Sequence, residues 1–258
     1  LWIVAQSNHE IIYEKTGSMV ISGDLNAFPD SLMHSDQTTG IFWLLANDTN
    51  NLFIFLKTND KRTQDKILLH GITIAVNAKG KKKTSSSLTF PVIDQEALIA
   101  QMNALRNSGS TLANNEFENL QKEKISQFNE VKVAGLKKMN NGDISLPDQY
   151  GIDAKMLYDS AGNIFYEMKI PFQYVNIDAS SKRDIAVNIK INSFDLKGGQ
   201  SNYTKASGSG SWHGGSGMGR GGGGFHGGNR RHEMGGNYSS RAITKGPSDF
   251  WVKGPLSQ

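Results

Sequence analysis

Two apolar runs without a polar face constrain this chain more than any other feature. Ile41-Phe42-Trp43-Leu44-Leu45-Ala46 and Leu52-Phe53-Ile54-Phe55-Leu56 flank Asn47-Asp48-Thr49-Asn50-Asn51. Asn and Asp tolerate left-handed backbone and bond to their own main chain, so the stretch between the runs reads as a hairpin turn. A strand with one wet face alternates apolar and polar residues. These two do not alternate, which predicts central strands covered on both faces, as in a β-sandwich carrying extra elements.

The rest of the chain fits that frame. Ile11-Ile12-Tyr13 and Met19-Val20-Ile21 read as short strands. Thr63–Gly71 reads as a short helix, with Thr63 as cap and Gly71 as terminator. Ile72–Val76 and Ser87–Val92, joined through Asn77-Ala78-Lys79-Gly80, form a second expected hairpin. The β pattern resumes at Val131-Lys132-Val133. Ala154–Tyr158 and Ile164–Ile170 enclose the turn Asp159-Ser160-Ala161-Gly162. In the return strand Phe165, Glu167 and Lys169 alternate with apolar residues, a half-buried pattern. Ile185–Ile191 and Phe250-Trp251-Val252-Lys253 are the last strands. Many short strands with frequent turns indicate a sandwich or barrel.

Two stretches break the pattern. Across 94–128, Leu98, Met102 and Leu105, then Phe117, Leu120, Lys124 and Phe128, recur at helical spacing. This predicts an inserted helical hairpin, with Asp94 capping the first helix and Asn114 or Asn115 the second. Residues 198–237 are dense in glycine and cannot bury enough apolar surface to offset their ordering entropy, about 1–2 kcal/mol per residue for the backbone alone. That predicts a flexible loop inserted in one domain spanning 11–256. Leu1-Trp2-Ile3-Val4-Ala5 reads as the remnant of a signal peptide (1–5), with Ala5 before a cleavage point, or alternatively as a first strand. The signal reading implies export to the periplasm or cell surface of a Gram-negative-type envelope. No stretch reaches the ~18–20 apolar residues that span a bilayer.

The chain has no cysteine, which excludes disulfides, thiolate zinc sites and cysteine nucleophiles. Its formal charge of +4 over 258 residues is far from the dense basic stripe of a nucleic-acid binder.

Several of these segments resemble a known group of domains. Ser22-Gly23-Asp24-Leu25, the pair Phe42–Asp48 and Asn51–Lys57, and the strand end Tyr166-Glu167-Met168-Lys169-Ile170-Pro171-Phe172 are similar to family 9 carbohydrate-binding modules and the DOMON-like sandwiches. The layout is also similar to Bacteroidetes envelope proteins, which share Gly71–Gly80 ending in Lys81-Lys82-Lys83, the helical insertion, the Gly-rich loop and a closing Phe-Trp-Val-Lys strand. The resemblance implies a mainly β, antiparallel, jelly-roll-like sandwich and a carbohydrate ligand. Family 9 modules clamp sugar between two Trp residues. No second Trp stands opposite Trp43 here, so no binding residue transfers.

A sugar platform needs flat aromatic faces rimmed by donors and acceptors. The candidates are Trp43, Trp251, Trp212, Tyr158 and Tyr166. Trp43 and Trp251 sit in apolar strand patterns and are expected in the core, which leaves Trp212, Tyr158 and Tyr166 as ligand-binding candidates. Arg220–Arg231 interleaves Gly with Arg, Phe and His, as single-stranded RNA segments do, but with few cations, so nucleic acid is not the expected partner. His213, His226 and His232 match no metal-ligand spacing. Asp24, Asp48 and Asp60 suit a calcium edge site, yet Asp in turns ordinarily serves its local backbone. With no nucleophile–base pair or phosphate loop, and with Asp and Glu pairs no more telling than any 258-residue chain supplies, the expectation is a non-catalytic binding module without metal or cofactor. Its partner is a glycan or, alternatively, an envelope protein docking on the helical insertion and the Gly-rich loop.

Overall fold

The computed structural model describes residues 13–14, 21, 30–94, 125–181, 183–193 and 248–256, with isolated positions between 96 and 104. The chain divides into a main unit, Leu1–Phe194 with Arg241–Gln258, and a second, Asp195–Ser240, which lies outside the described residues. Also outside them are the segment 1–5, the Gly-rich stretch 198–237 with Trp212, and most of the helical hairpin expected over 94–128. At the start of that hairpin the Ala97 amide donates to Asp94 Oδ1 at 3.0 Å, the bond an N-cap makes.

The described residues are mainly β. Twelve strands are resolved among them: β1 (Tyr13–Glu14), β2 (His34–Asp36), β3 (Ile41–Asn47), β4 (Asn51–Thr58), β5 (Ile72–Asn77), β6 (Ser86–Phe90), β7 (Glu130–Ala134), β8 (Gly142–Ser145), β9 (Asp153–Tyr158), β10 (Ile164–Pro171), β11 (Ile185–Ile191) and β12 (Ser248–Gly254). Helix α1 (Lys61–His70) links β4 to β5, and the single turn α2 (Phe172–Val175) follows β10. The first sheet runs β1-β3-β4-β10-β9, with β2 also on β3; the second runs β12-β11-β5-β6-β7-β8. Pairing is antiparallel throughout except for the two-residue β1–β3 contact.

The inward faces of both sheets share one apolar core. Ile41, Trp43, Leu45, Leu52, Ile54 and Leu56 from the first meet Ile72, Ile74, Val76, Leu88, Val187 and Ile189 from the second. Rings bridge the layers: Phe90 lies 5.8 Å from Tyr166 and Trp43 lies 6.0 Å from Phe250. Each fully buried Leu, Ile, Val or Phe contributes about 1.5–3 kcal/mol relative to exposure, so the core fixes which face of each strand turns inward.

The non-alternating β3 and β4 behave as their sequence predicts. Their odd and even positions face opposite ways, yet both sets are buried. Leu44, Ala46, Phe53 and Phe55 form a second apolar cluster on the outer face of the first sheet, with Ile21, and Met33 packs against it. The turn between them is held by Asp48, whose Oδ1 accepts from the Asn50 and Asn51 amides at 2.8 and 2.7 Å.

Helix α1 begins three residues earlier than its sequence suggests. Asp60, not Thr63, is the cap: its Oδ1 accepts from the Thr63 amide at 2.8 Å. The Thr63 hydroxyl instead donates to the Thr39 carbonyl at 2.7 Å, tying the helix to the β2–β3 turn. Gly71 ends the helix as expected. Strands β2 and β8 carry too few apolar residues to show in the sequence; they are edge elements placed by their neighbours.

Candidate functional site

One end of the first sheet opens into a cleft of about 600 Å³, within the ~300–1,000 Å³ range of small-ligand sites. The β3–β4 turn supplies Thr49, Asn50 and Asn51, the approach to β9 supplies Tyr150 and Gly151, and β10 supplies Lys169. Pro171, Phe172 and Ile177 form its buried floor, while Gln173 and Asp178 stand exposed at its rim.

Each wall is built by local chemistry. Asp48 folds the first turn, and the Asn50 carbonyl accepts from the Phe172 amide at 2.8 Å, which joins that turn to the start of α2. Asp148 folds the second wall: its Oδ1 accepts from the Tyr150 and Ile152 amides, both at 3.0 Å. Tyr150 then meets Tyr174 edge-on, with ring centroids 5.8 Å apart and planes at 89°. The third wall follows α2, where Asn176 takes left-handed backbone, φ 56°, and its N–H reaches back to the Phe172 carbonyl.

Two carboxylates differ sharply in this region. Asp178 takes the hydroxyl and amide of Ser180 on Oδ1 at 2.7 and 3.0 Å, and these bonds hold its carboxyl below the ordinary value of 3.8. It is therefore ionised at neutral pH, and the cleft presents one anion and one cation, Lys169. Asp148 is the opposite case. Its Oδ2 is buried without a hydrogen-bond partner. Burial raises its carboxyl above 3.8, outweighing the amides of Tyr150, Ile152 and Gly151 that pull it down, with Asp153 adding repulsion.

A raised carboxyl gives a definite sign. The unfolded chain loses the proton first, so the favourable contribution is complete below 3.8 and declines as pH rises through the folded value. The Asp148→Asn variant lacks this proton. Its stability relative to the parent chain is expected to improve steadily from acid to neutral pH in urea titrations. A difference that stays flat with pH would show that Asp148 ionises normally.

The aromatic candidates are distributed differently from expectation. Tyr166 is 1% exposed and lies between the sheets, with its hydroxyl 3.7 Å from Met168 Sδ. It belongs to the core and is out of reach of any ligand. On the other side of its strand Phe165 and Lys169 are half-buried but Glu167 is buried, against the half-buried pattern expected, and the Tyr166 ring is on the inward side. Tyr158 is half-buried at the end of β9 and packs against the main core, away from the cleft. Trp43 is in the core as expected, stacked on His34 at 4.6 Å. Trp251 is not: in β12 its neighbour Val252 faces inward, leaving the indole half-exposed on the outer face of the second sheet, opposite Asn188.

Lys169 lies in the Tyr166–Phe172 strand end, whereas the cleft residues Tyr150 and Asp178 carry no motif. Their one sequence signal is the turn composition around them, Pro147-Asp148-Gln149-Tyr150-Gly151 and Asn176–Ser181. The calcium candidates Asp48 and Asp60 are engaged by their own turn and helix start. Among the described residues no group of three or more His, Asp or Glu is placed to hold a metal ion, and no helix is long and apolar enough to cross a membrane. Comparison with protein-family models, with curated proteins and with solved structures finds no match to this chain. What can be said of its class is therefore what the fold itself defines: a mainly β chain of two six-stranded sheets over a common core.

Proposed function

We propose that this chain is a non-catalytic binding module, a β-sandwich whose cleft takes a hydroxyl-rich ligand, a short stretch of glycan. The observation that carries the reading is the cleft's composition. Beyond the Phe172 floor, the Tyr150 ring stands among the amides of Asn50, Asn51 and Gln173 and the charged ends of Lys169 and Asp178. A sugar offers C–H faces to rings and hydroxyls to amides and charged groups, so each wall has a partner. Hydrolysis of a glycosidic bond ordinarily needs two carboxyl groups facing each other across it. Among the residues lining the cleft Asp178 is the one carboxylate, which favours binding over cleavage. The jelly-roll or DOMON-like form of the sandwich belongs to this same reading. The alternative partner, an envelope protein on the helical insertion and Gly-rich loop, falls on residues outside those described.

The test is retention of the full chain on a glycan array and on insoluble polysaccharides. Tyr150→Ala is expected to weaken retention about tenfold or more, the loss of one stacked ring and its edge contacts, whereas Tyr150→Phe keeps most of it. Lys169→Ala and Gln173→Ala are expected to cost less individually. No retention on any glycan, or retention that Tyr150→Ala leaves untouched, would remove the cleft as the site. If only Trp212→Ala reduces binding, the ligand belongs to the Gly-rich stretch instead.

A further inference from the structure

Among the described residues, positive charge gathers at one end of the second sheet. The turn from β5 to β6 carries Lys79, Lys81, Lys82 and Lys83, all exposed. The turn from β7 to β8 adds Lys137 and Lys138, also exposed, while Arg183 precedes β11 and Lys253 lies near the end of β12. Strand register brings these segments together: Asn77 pairs with Ala186, Ala186 with Lys253, and Ser87 with Ala134. Among the described residues, eight of 16 lysines and arginines thus meet at one end, with the carboxylates of Asp178 and Asp184 beside them.

The lysine turn is held in shape. Asn77 Nδ2 donates to the Lys83 carbonyl at 2.6 Å, and Asn77 Oδ1 accepts from the Lys79 amide at 2.9 Å. Ser85 donates to the Val76 carbonyl at 2.6 Å, and Ser86 to the Gly135 carbonyl at 2.9 Å, linking the two turns. A side chain at Gly80 would stand 2.8 Å from the Asp184 carbonyl oxygen and 3.3 Å from Lys253 Cε, so the turn lies directly against β11 and β12. Lys253 meets Asp184 at 3.3 Å. A fixed backbone therefore holds like charges close together in water, where they repel one another until an anionic surface answers them.

We propose that this end of the second sheet is a docking face for an anionic lipid surface, recognised through its phosphate headgroups. Seven of the eight cations are lysines, point charges that suit many headgroups and fix no bidentate geometry. They are spread over separate loops at a sheet end, which presents a front to a plane and not a track for one strand. Thr84, Ser85, Asn140 and Asn141 follow them in the two turns, which supply no ring for stacking bases. The proposal is independent of the cleft.

The test uses the full chain in co-sedimentation with vesicles of phosphatidylcholine alone or with about one third phosphatidylglycerol. Binding is expected only to the anionic vesicles, and it should weaken as salt shortens the screening length. Replacing Lys81, Lys82 and Lys83 together by Gln is expected to lower the partition constant by about fivefold per lysine. The matched variant Lys61→Gln, Arg62→Gln, Lys66→Gln changes net charge equally on α1, at the opposite end of β5, and is expected to bind as the parent does. No binding to anionic vesicles, equal binding to neutral ones, or equal loss in both variants overturns the proposal. So does tighter capture on an acidic polysaccharide or single-stranded nucleic acid at the same ionic strength.

Discussion

Replacing Phe53 by alanine is expected to lower the unfolding free energy by about 3–5 kcal/mol, the cost of deleting a fully buried ring. Phe53 is on the outer face of the first sheet, the side that a simple two-layer protein leaves wet. It is nonetheless 0% exposed, 6.4 Å from the Phe55 ring and nearly parallel to it, with Leu44 and Ala46 in the same cluster. The contrast is Phe42, on the same face of the neighbouring strand but 39% exposed. Phe42→Ala is expected to shift stability by less than about 1 kcal/mol. Chemical denaturation of the two variants decides the matter. If Phe53→Ala were as mild as Phe42→Ala, the outer face would be open, and the two-faced burial of β3 and β4 would be wrong.

The second large effect is expected at Gly71. This residue ends α1 with φ 71° and ψ 179°, a conformation essentially reserved for glycine. A Cβ there would lie 2.4 Å from the Pro91 carbonyl oxygen, a backbone atom with no rotamer to yield. The Gly71 amide also donates to the Ile67 carbonyl at 2.8 Å, and its carbonyl accepts from the Asn192 amide at 3.1 Å. Asn192 in turn donates to the His70 carbonyl and accepts from the Thr73 hydroxyl, both at 3.0 Å. Any shift that relieves the clash disturbs α1, β5 and the end of β11 together. Backbone strain of about 1–3 kcal/mol and displacement of packed neighbours costing about 1–3 kcal/mol give a combined loss of about 2–6 kcal/mol for Gly71→Ala. Half-buried Gly162 supplies the control. It also has positive φ, 79°, but a Cβ there meets nothing within 4 Å. Gly162→Ala should therefore show only the strain, and equal losses at both sites would exclude the clash as the larger cause.

These two positions differ in how far they could be read beforehand. The burial of Phe53 is written in the unbroken apolar run of β4, because a strand with no polar position has no face to give to water. Gly71 could be read as a helix stop, but not as the point where three elements meet. The cleft was the least legible part. Tyr150 and Asp178 are ordinary residues in turns, Lys169 is one polar position of a strand, and nothing in their spacing joins them. Tyr166 misled for a related reason: alternation shows that a strand has two faces, and the choice of which face is inward comes from the opposing sheet.

The sequence by itself determined most of the strands, most of the hairpins and the end of α1. Those depend on side-chain period and on turn chemistry acting within a few residues, so they survive without knowledge of the rest of the chain. Only the tertiary structure decided that β4 pairs with β10 and β5 with β11, that Asp60 displaces Thr63 as the helix cap, and that loops remote in sequence close around one cleft and gather the lysines at one sheet end. Pairings of that kind are chosen by how two apolar faces fill the space between them. That is a property of the assembled layers and not of any one segment.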